Sequence, residues 1–252
     1  MTLLSEPDVI HFRCDHYELL TRLLANEPDA ALLQSLRDGI ADRAVGAAQV
    51  HPQMGEGWRV MGGHLAPEAL EGLVDEFTRM FLGPYGDVLN PYESYYLTGR
   101  LYGQPLADVR GFMARQSLER AGDSRGEPED SLAFELGIMA SLAARQLAGG
   151  DVDPAALVEP QREFLGSHLL IWAPACIADM ERNPAAAFYK GVALLLGAFL
   201  QVEHDFFRED GGIAVEALEA ARRRYHSVGF RGPVFDPEQL PVRQADGKGE
   251  DK

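Results

Sequence analysis

Residues 126–142 read GEPEDSLAFELGIMASL. The acidic tetrapeptide Glu127-Pro128-Glu129-Asp130 stands directly before an apolar run that repeats at helical spacing, with Phe134 and Leu136 facing a core. Proline suits a first helical turn, and acids there complement the positive end of the helix dipole, so the stretch predicts a helix starting near Pro128. Working outward, nearly every other segment carries a period of about 3.6 and nearly none alternates, so the chain reads as all-α, a single helical bundle.

On the N-terminal side, Ser5-Glu6-Pro7-Asp8 opens a first helix whose apolar face includes Phe12, Tyr17, Leu20 and Leu23. A second helix runs from about Pro28 to Gly46, and glycine-rich residues 49–64, QVHPQMGEGWRVMGGH, read as a loop. A third spans about Pro67 to Leu82 and is ended by Gly83-Pro84; a short piece at 94–102 and a helix at 105–121 follow. Beyond the stretch quoted above, residues 154–182 contain Pro160 and Pro174, which predict kinks or breaks. Residues 184–209 are the most apolar helix and therefore the central one. A last amphipathic helix covers 215–225, after which 227–252 lose periodicity and read as a mobile tail. The domain reading is one helical body over 1–208 and a C-terminal helix plus tail over 209–252.

With 252 residues and 46% apolar side chains, the chain can fill its own core. No run is long enough to span a bilayer and no export signal is recognised, so the expected compartment is the cytoplasm. Cys14 and Cys176 are too far apart in sequence for a zinc spacing or a disulfide framework, and read as small core residues. The formal charge is −16; residues 209–252 hold 9 acids and 7 bases, so the excess belongs to the folded body. Such a surface disfavours nucleic acid and attracts cationic partners.

Enzyme chemistry finds little support. Gly122-Asp123-Ser124-Arg125-Gly126 matches the G-x-S-x-G turn of serine hydrolases, but the residues before it are helix-patterned, and that turn needs a strand. The seven histidines form no H-x-x-x-H pair, no Glu-x-x-His repeats on two helices, and no phosphate-binding glycine motif occurs. Glu203-His204-Asp205 read as solvated or interhelical. No catalytic residue and no metal ligand is assigned. By contrast Phe77, Phe81, Tyr85, Tyr92, Tyr95 and Tyr96 crowd around a proline-bearing loop, the composition of a peptide-binding surface.

Four segments, in order, resemble the TorD/DmsD/NarJ family of molybdoenzyme maturation chaperones over about residues 12–207. Phe81-Leu82-Gly83-Pro84 and Pro91-Tyr92-Glu93-Ser94-x-Tyr96 resemble its L-F-x-G-P loop and P-P-W-E-S-x-Y box. Glu127-Pro128-Glu129-Asp130 resembles its E-P-x-D-H motif, with Ser131 in place of the histidine. His168-Leu169-Leu170-x-Trp172-Ala173-Pro174 resembles H-L-x-x-W-x-P, and Phe188-Tyr189 the F-Y pair. Asn90 and Tyr92 replace the family's usual proline and tryptophan.

The resemblance implies a non-enzymatic protein that binds the N-terminal, usually twin-arginine, leader of a molybdoenzyme catalytic subunit and holds the apoenzyme until molybdopterin is inserted. Glu93, Glu127 and Asp130 are its expected partners for arginine, and Phe81, Tyr92, Tyr96 and Trp172 for the apolar part. Pro128 and His168 complete the motif set. No cofactor is expected to bind tightly, with weak nucleotide binding and a transient molybdopterin contact left open, and a monomer is favoured. The spacing of GPYGDVLNPYESYY points towards chaperones of periplasmic type II enzymes of the dimethyl sulfoxide reductase family. The competing readings are a helical assembly subunit of a nitrate-reductase-like complex and a hydrolase using Ser124.

Overall fold

The computed structural model describes residues 3–83, 88–120, 126–149, 154–209, 212–213 and 215–225. Regular structure among them is helical: α1 Pro7–Ala25, α2 Ala30–Arg37, α3 Ile40–Val50, α4 Pro52–Gly62, α5 Leu70–Phe77 and α6 Glu93–Thr98. Then come α7 Gln104–Arg115, α8 Leu132–Ala148, α9 Pro154–Phe164, α10 Leu170–Arg182, α11 Phe188–Glu209 and α12 Val215–Arg223. The all-α expectation holds, and no helix among the described residues is long and apolar enough to cross a membrane.

Three departures from the sequence reading bear on packing, besides α7 ending at Arg115 rather than near residue 121. The predicted helix over 28–46 is two: Asp29 caps α2 through the Leu32 N–H at 2.6 Å, and Gly39, with φ of +77°, breaks the chain before α3. The helix of residues 126–142 begins at Leu132, because the Ser131 hydroxyl accepts the Phe134 N–H at 3.3 Å as its cap. Pro128 to Asp130 therefore precede the helix. The third departure is residues 49–64, which are not a loop: they hold the end of α3 and all of α4. Their glycines serve close packing. A Cβ on Gly57 would lie 2.7 Å from the Gly191 carbonyl on α11, and one on Gly55 2.8 Å from the Ala44 carbonyl on α3. Small residues at a helix crossing read as loop punctuation when only sequence is visible.

α11 is the central helix, buried almost continuously from Phe188 to Leu200 and packed against α4 and α10. Its N-terminus is capped from another helix: Glu76 of α5 accepts the N–H groups of Ala187 and Tyr189, each at 2.8 Å, and of Phe188 at 3.2 Å. Nearer its C-terminus, Glu203 accepts bidentate hydrogen bonds from Arg13 of α1 at 2.7 and 2.9 Å and one from the Tyr17 hydroxyl at 2.6 Å. All three side chains are buried. Burial alone would lower the Arg13 pKa, but the adjacent Glu203 carboxylate more than offsets it and the net shift is upward. Glu203 is thus interhelical. Cys14 and Cys176 are free and buried.

Pro160 and Pro174 both lie inside helices, and the irregularity falls between them as a π turn, Leu165–Leu169, joining α9 to α10. A second π turn, Thr78–Leu82, continues α5. α12 lies on α10 and the Leu165–Leu169 turn, burying Leu218, Ala221 and Tyr225. The Tyr225 hydroxyl donates to Asp108 of α7 at 2.7 Å. The tail expected over 227–252 lies outside the described residues.

Candidate functional site

Two of the motif segments are joined directly by their backbones. Tyr92 and Ser131 form an antiparallel bridge, in which the Glu93 N–H donates to the Asp130 carbonyl at 2.8 Å and the Leu132 N–H to the Pro91 carbonyl at 2.8 Å. The Asp130 side chain then accepts the Ser94 N–H at 3.0 Å, capping the first turn of α6. One short clamp therefore fixes the starts of both α6 and α8.

The clamp aims Glu93 inward, where it meets Glu135 of α8 and His168 of the Leu165–Leu169 turn; all three are buried. His168 Nδ1 lies 2.9 Å from Glu93 Oε2, and Trp172 Nε1–H donates to Glu135 Oε2 at 3.0 Å. Burial pushes both carboxyls well above the usual carboxylate range; the neighbouring Glu93 carboxylate raises Glu135 further. Burial lowers the His168 pKa. Each of the two buried carboxyls is thus held by a ring nitrogen, Glu93 by His168 and Glu135 by Trp172. Among the described residues Glu93, Glu135 and His168 are also a set of donors, within 4.8 Å of one another, compatible with one cation. The Tyr96 ring lies 5.6 Å from that of Trp172, tilted by 34°, and its hydroxyl donates to Asp179 at 2.9 Å.

The accessible feature lies on the other side of the clamp. A groove of about 570 Å³ runs between the C-terminal half of α1, the end of α7 and the first turns of α8. Its floor includes Leu24, Leu118, Phe134 and Ile138, and Glu119 and Glu127 stand in its lining. Glu127 is exposed. Burial, followed by the Glu127 carboxylate to which its hydroxyl hydrogen-bonds, raises the Tyr92 phenol pKa. Glu129 is held by Arg110 at 2.8 Å and Arg120 at 2.9 Å. A volume of this size, apolar with a few polar groups, suits a bound side-chain cluster.

The nine residues named from the sequence divide into three groups. Glu93, Tyr96, Asp130, His168 and Trp172 are buried and bonded within the protein, so they shape the site from behind rather than face solvent. The resemblance implies arginine contacts for Glu93 and Asp130 and apolar contacts for Tyr96 and Trp172, but burial by packing elements distant in sequence is not visible in a motif. Glu127 reaches the groove; Tyr92 and Pro128 are partly exposed beside it. Phe81 is half-buried on another face, 4.9 Å from Phe77 and 5.5 Å from Tyr189. Sequence reasoning missed Glu135, Leu118, Arg120 and Ile138. It placed Phe134 in the core, whereas the side chain is only partly covered and lines the groove. The recurrence Phe134, Gly137, Ile138, Ser141 on α8 was a usable signal, being one helical stripe with small residues in it.

A second groove of about 560 Å³, lined by Phe12, Leu19 and Trp58 with Asp15, Glu18 and Arg43, separates α1 from α3 and α4. Tyr85, Asp87 and Ser124 lie outside the described residues.

Residues 47–178 match the family model described as nitrate reductase delta subunit. The chain is 30% identical over 134 residues to the chaperone protein TorD of Vibrio cholerae serotype O1, covering 51% of this chain and 59% of that protein. It is 26% identical over 209 residues to the chaperone protein TorD of Shewanella sp. (strain ANA-3), covering 79% and 95%. It is 33% identical over 93 residues to the perchlorate reductase assembly chaperone protein of Dechloromonas aromatica, covering 36% and 40%. The match to the Vibrio protein thus spans about three fifths of that relative's length.

Proposed function

The chain belongs to the nitrate reductase delta subunit family, and from that premise we propose that it is a cytoplasmic maturation chaperone for a molybdoenzyme catalytic subunit, binding the subunit's N-terminal leader before cofactor insertion. The observation that carries this reading is the groove beside Glu127, with its apolar floor and acidic lining, built against the clamp that joins the two motifs. A leader offers arginines and then an apolar stretch. Each large apolar side chain it buries contributes about 1.5–3 kcal/mol, and carboxylates such as Glu127 and Glu119 supply charge-assisted bonds for the arginines. The negative body of the chain attracts such a peptide from a distance in a salt-dependent way. Nothing in this needs a catalytic residue.

Similarity to a perchlorate reductase assembly chaperone supports an oxyanion-reducing client, in line with the type II spacing. The test is co-expression of the chain with a molybdoenzyme catalytic subunit that carries a twin-arginine leader, followed by pull-down and molybdopterin assay. The expected result is recovery of a complex with the cofactor-free subunit, lost when the leader is deleted, and higher cofactor loading in cells that contain the chain. Recovery only with mature, cofactor-loaded enzyme would point to an assembly subunit instead.

A further inference from the structure

The groove already contains an arginine. The Arg120 guanidinium stands 5.0 Å over the Phe134 ring, lies 2.9 Å from Glu129 Oε1 and donates to the Glu127 carbonyl at 2.6 Å. A face to stack on, a carboxylate and a carbonyl acceptor are the three elements that select a planar, multidentate cation over a point charge. The Arg120 side chain is 25% exposed, and both it and Phe134 line the groove. Arg120 is not needed to neutralise Glu129, whose other oxygen is paired with Arg110 at 2.8 Å. Burial pushes the Glu129 carboxyl up, and the hydrogen bonds from Arg110 and Arg120 more than offset this, so the carboxylate stays ionised.

We propose that the Phe134 ring, the Glu129 carboxylate and the Glu127 carbonyl form a guanidinium subsite of the groove, filled by the chain's own Arg120 in the free protein and taken over by a client arginine that displaces it. This rests on the leader-binding reading and adds to it the ligand group and a built-in competitor. Exchanging one guanidinium for another conserves the stacking and the hydrogen bonds, so the exchange by itself gains little. Net affinity comes from the residues that follow the arginine and bury against Leu24, Leu118 and Ile138. The device therefore rejects arginine-rich segments without an apolar continuation and admits those that have one.

The experiment is calorimetric titration of the full chain with two synthetic peptides, one carrying two adjacent arginines followed by an apolar segment, the other identical but with lysines. Wild type, Arg120→Ala, Arg120→Lys and the double variant Arg120→Ala/Phe134→Leu are compared, with thermal unfolding recorded for each. Arg120→Ala is expected to tighten the arginine peptide about tenfold, the size of one exposed cation–π contact plus one partly exposed ion pair. The lysine peptide gains much less. Arg120→Lys, which keeps the charge and the fold but loses the plane, also tightens the arginine peptide, and the double variant loses the preference for arginine.

Equal gains for both peptides would reduce the effect to removal of a positive charge and overturn the subsite. Unchanged or weaker arginine-peptide binding in both Arg120 variants, with wild type still binding, would overturn displacement and leave leader binding standing. Absence of binding by every variant would overturn both.

Discussion

The Ser94 N–H donates to Asp130 Oδ2 across 3.0 Å, so the aspartate of the motif that opens α8 is committed to capping α6. The two motifs are adjacent because one terminates the other's unpaired backbone. Asp130→Ala should therefore act on stability: it removes a cap and leaves a buried N–H unpaired, a loss of about 2 kcal/mol. Thermal unfolding should show it, with Asp130→Asn milder because an acceptor remains. Glu127→Ala, at an exposed position, should leave unfolding unchanged and weaken binding of an arginine-bearing leader peptide several-fold. A stable Asp130→Ala protein that fails to bind would return the aspartate to the binding surface.

Glu76 makes the stronger case of a cap supplied from a distance. Its carboxylate accepts three N–H groups at the start of the central helix, two of them buried. Glu76→Ala is expected to cost about 3 kcal/mol or more, and Glu76→Gln less, since one amide oxygen still accepts. Denaturant unfolding of the two variants gives the order directly; equal losses would mean the carboxylate contributes by packing alone.

Glycines test the reassigned segment 49–64. At Gly57 a methyl group would collide with the α11 backbone at 2.7 Å, whereas at Gly46, in the interior of α3, it would meet nothing within 4 Å. Gly57→Ala should destabilise by about 1–3 kcal/mol or more, and Gly46→Ala should stabilise by about 0.5–1 kcal/mol. If both substitutions shift the melting temperature upward, α4 and α11 do not cross as closely as described.

Glu135 gives a pH prediction. Burial and the facing Glu93 hold its folded pKa well above the unfolded carboxylate value, so the folded state binds more protons than the unfolded one. Its contribution is complete below the unfolded pKa of about 4.3 and declines as pH rises towards the folded pKa. Glu135→Gln keeps an acceptor for Trp172 Nε1 and removes that decline. The melting temperature of the variant minus that of wild type should thus grow from pH 5 to pH 8. A constant or shrinking difference would show that Glu135 is ionised in the fold. His168, lowered by burial, acts oppositely: its contribution is present above about pH 6.5 and falls away in acid.

Residue periodicity revealed the all-α fold because the long helices carry apolar stripes, clearest among them in α11. It did not reveal α4, whose Gly57 packs on α11, remote in sequence, and whose Gly55 packs on the preceding α3. Two of the four motif segments meet at the bridge of Tyr92 with Ser131. The motifs could not separate Glu127, which faces the groove, from Asp130 three residues on, which is buried, because that distinction is made by the bridge to Tyr92. Arg120 had no motif at all; its significance comes only from what its guanidinium touches.

The central claim is that the groove beside Phe134 receives a client leader. The most direct measurement is photo-crosslinking of a leader peptide bearing a benzophenone amino acid in its apolar segment, with the attached residues located by mass spectrometry. The account predicts attachment to the groove at Leu24, Leu118 or Ile138, suppressed by excess unlabelled peptide. Attachment to the groove of Phe12, Leu19 and Trp58, or labelling that excess peptide does not suppress, would contradict it.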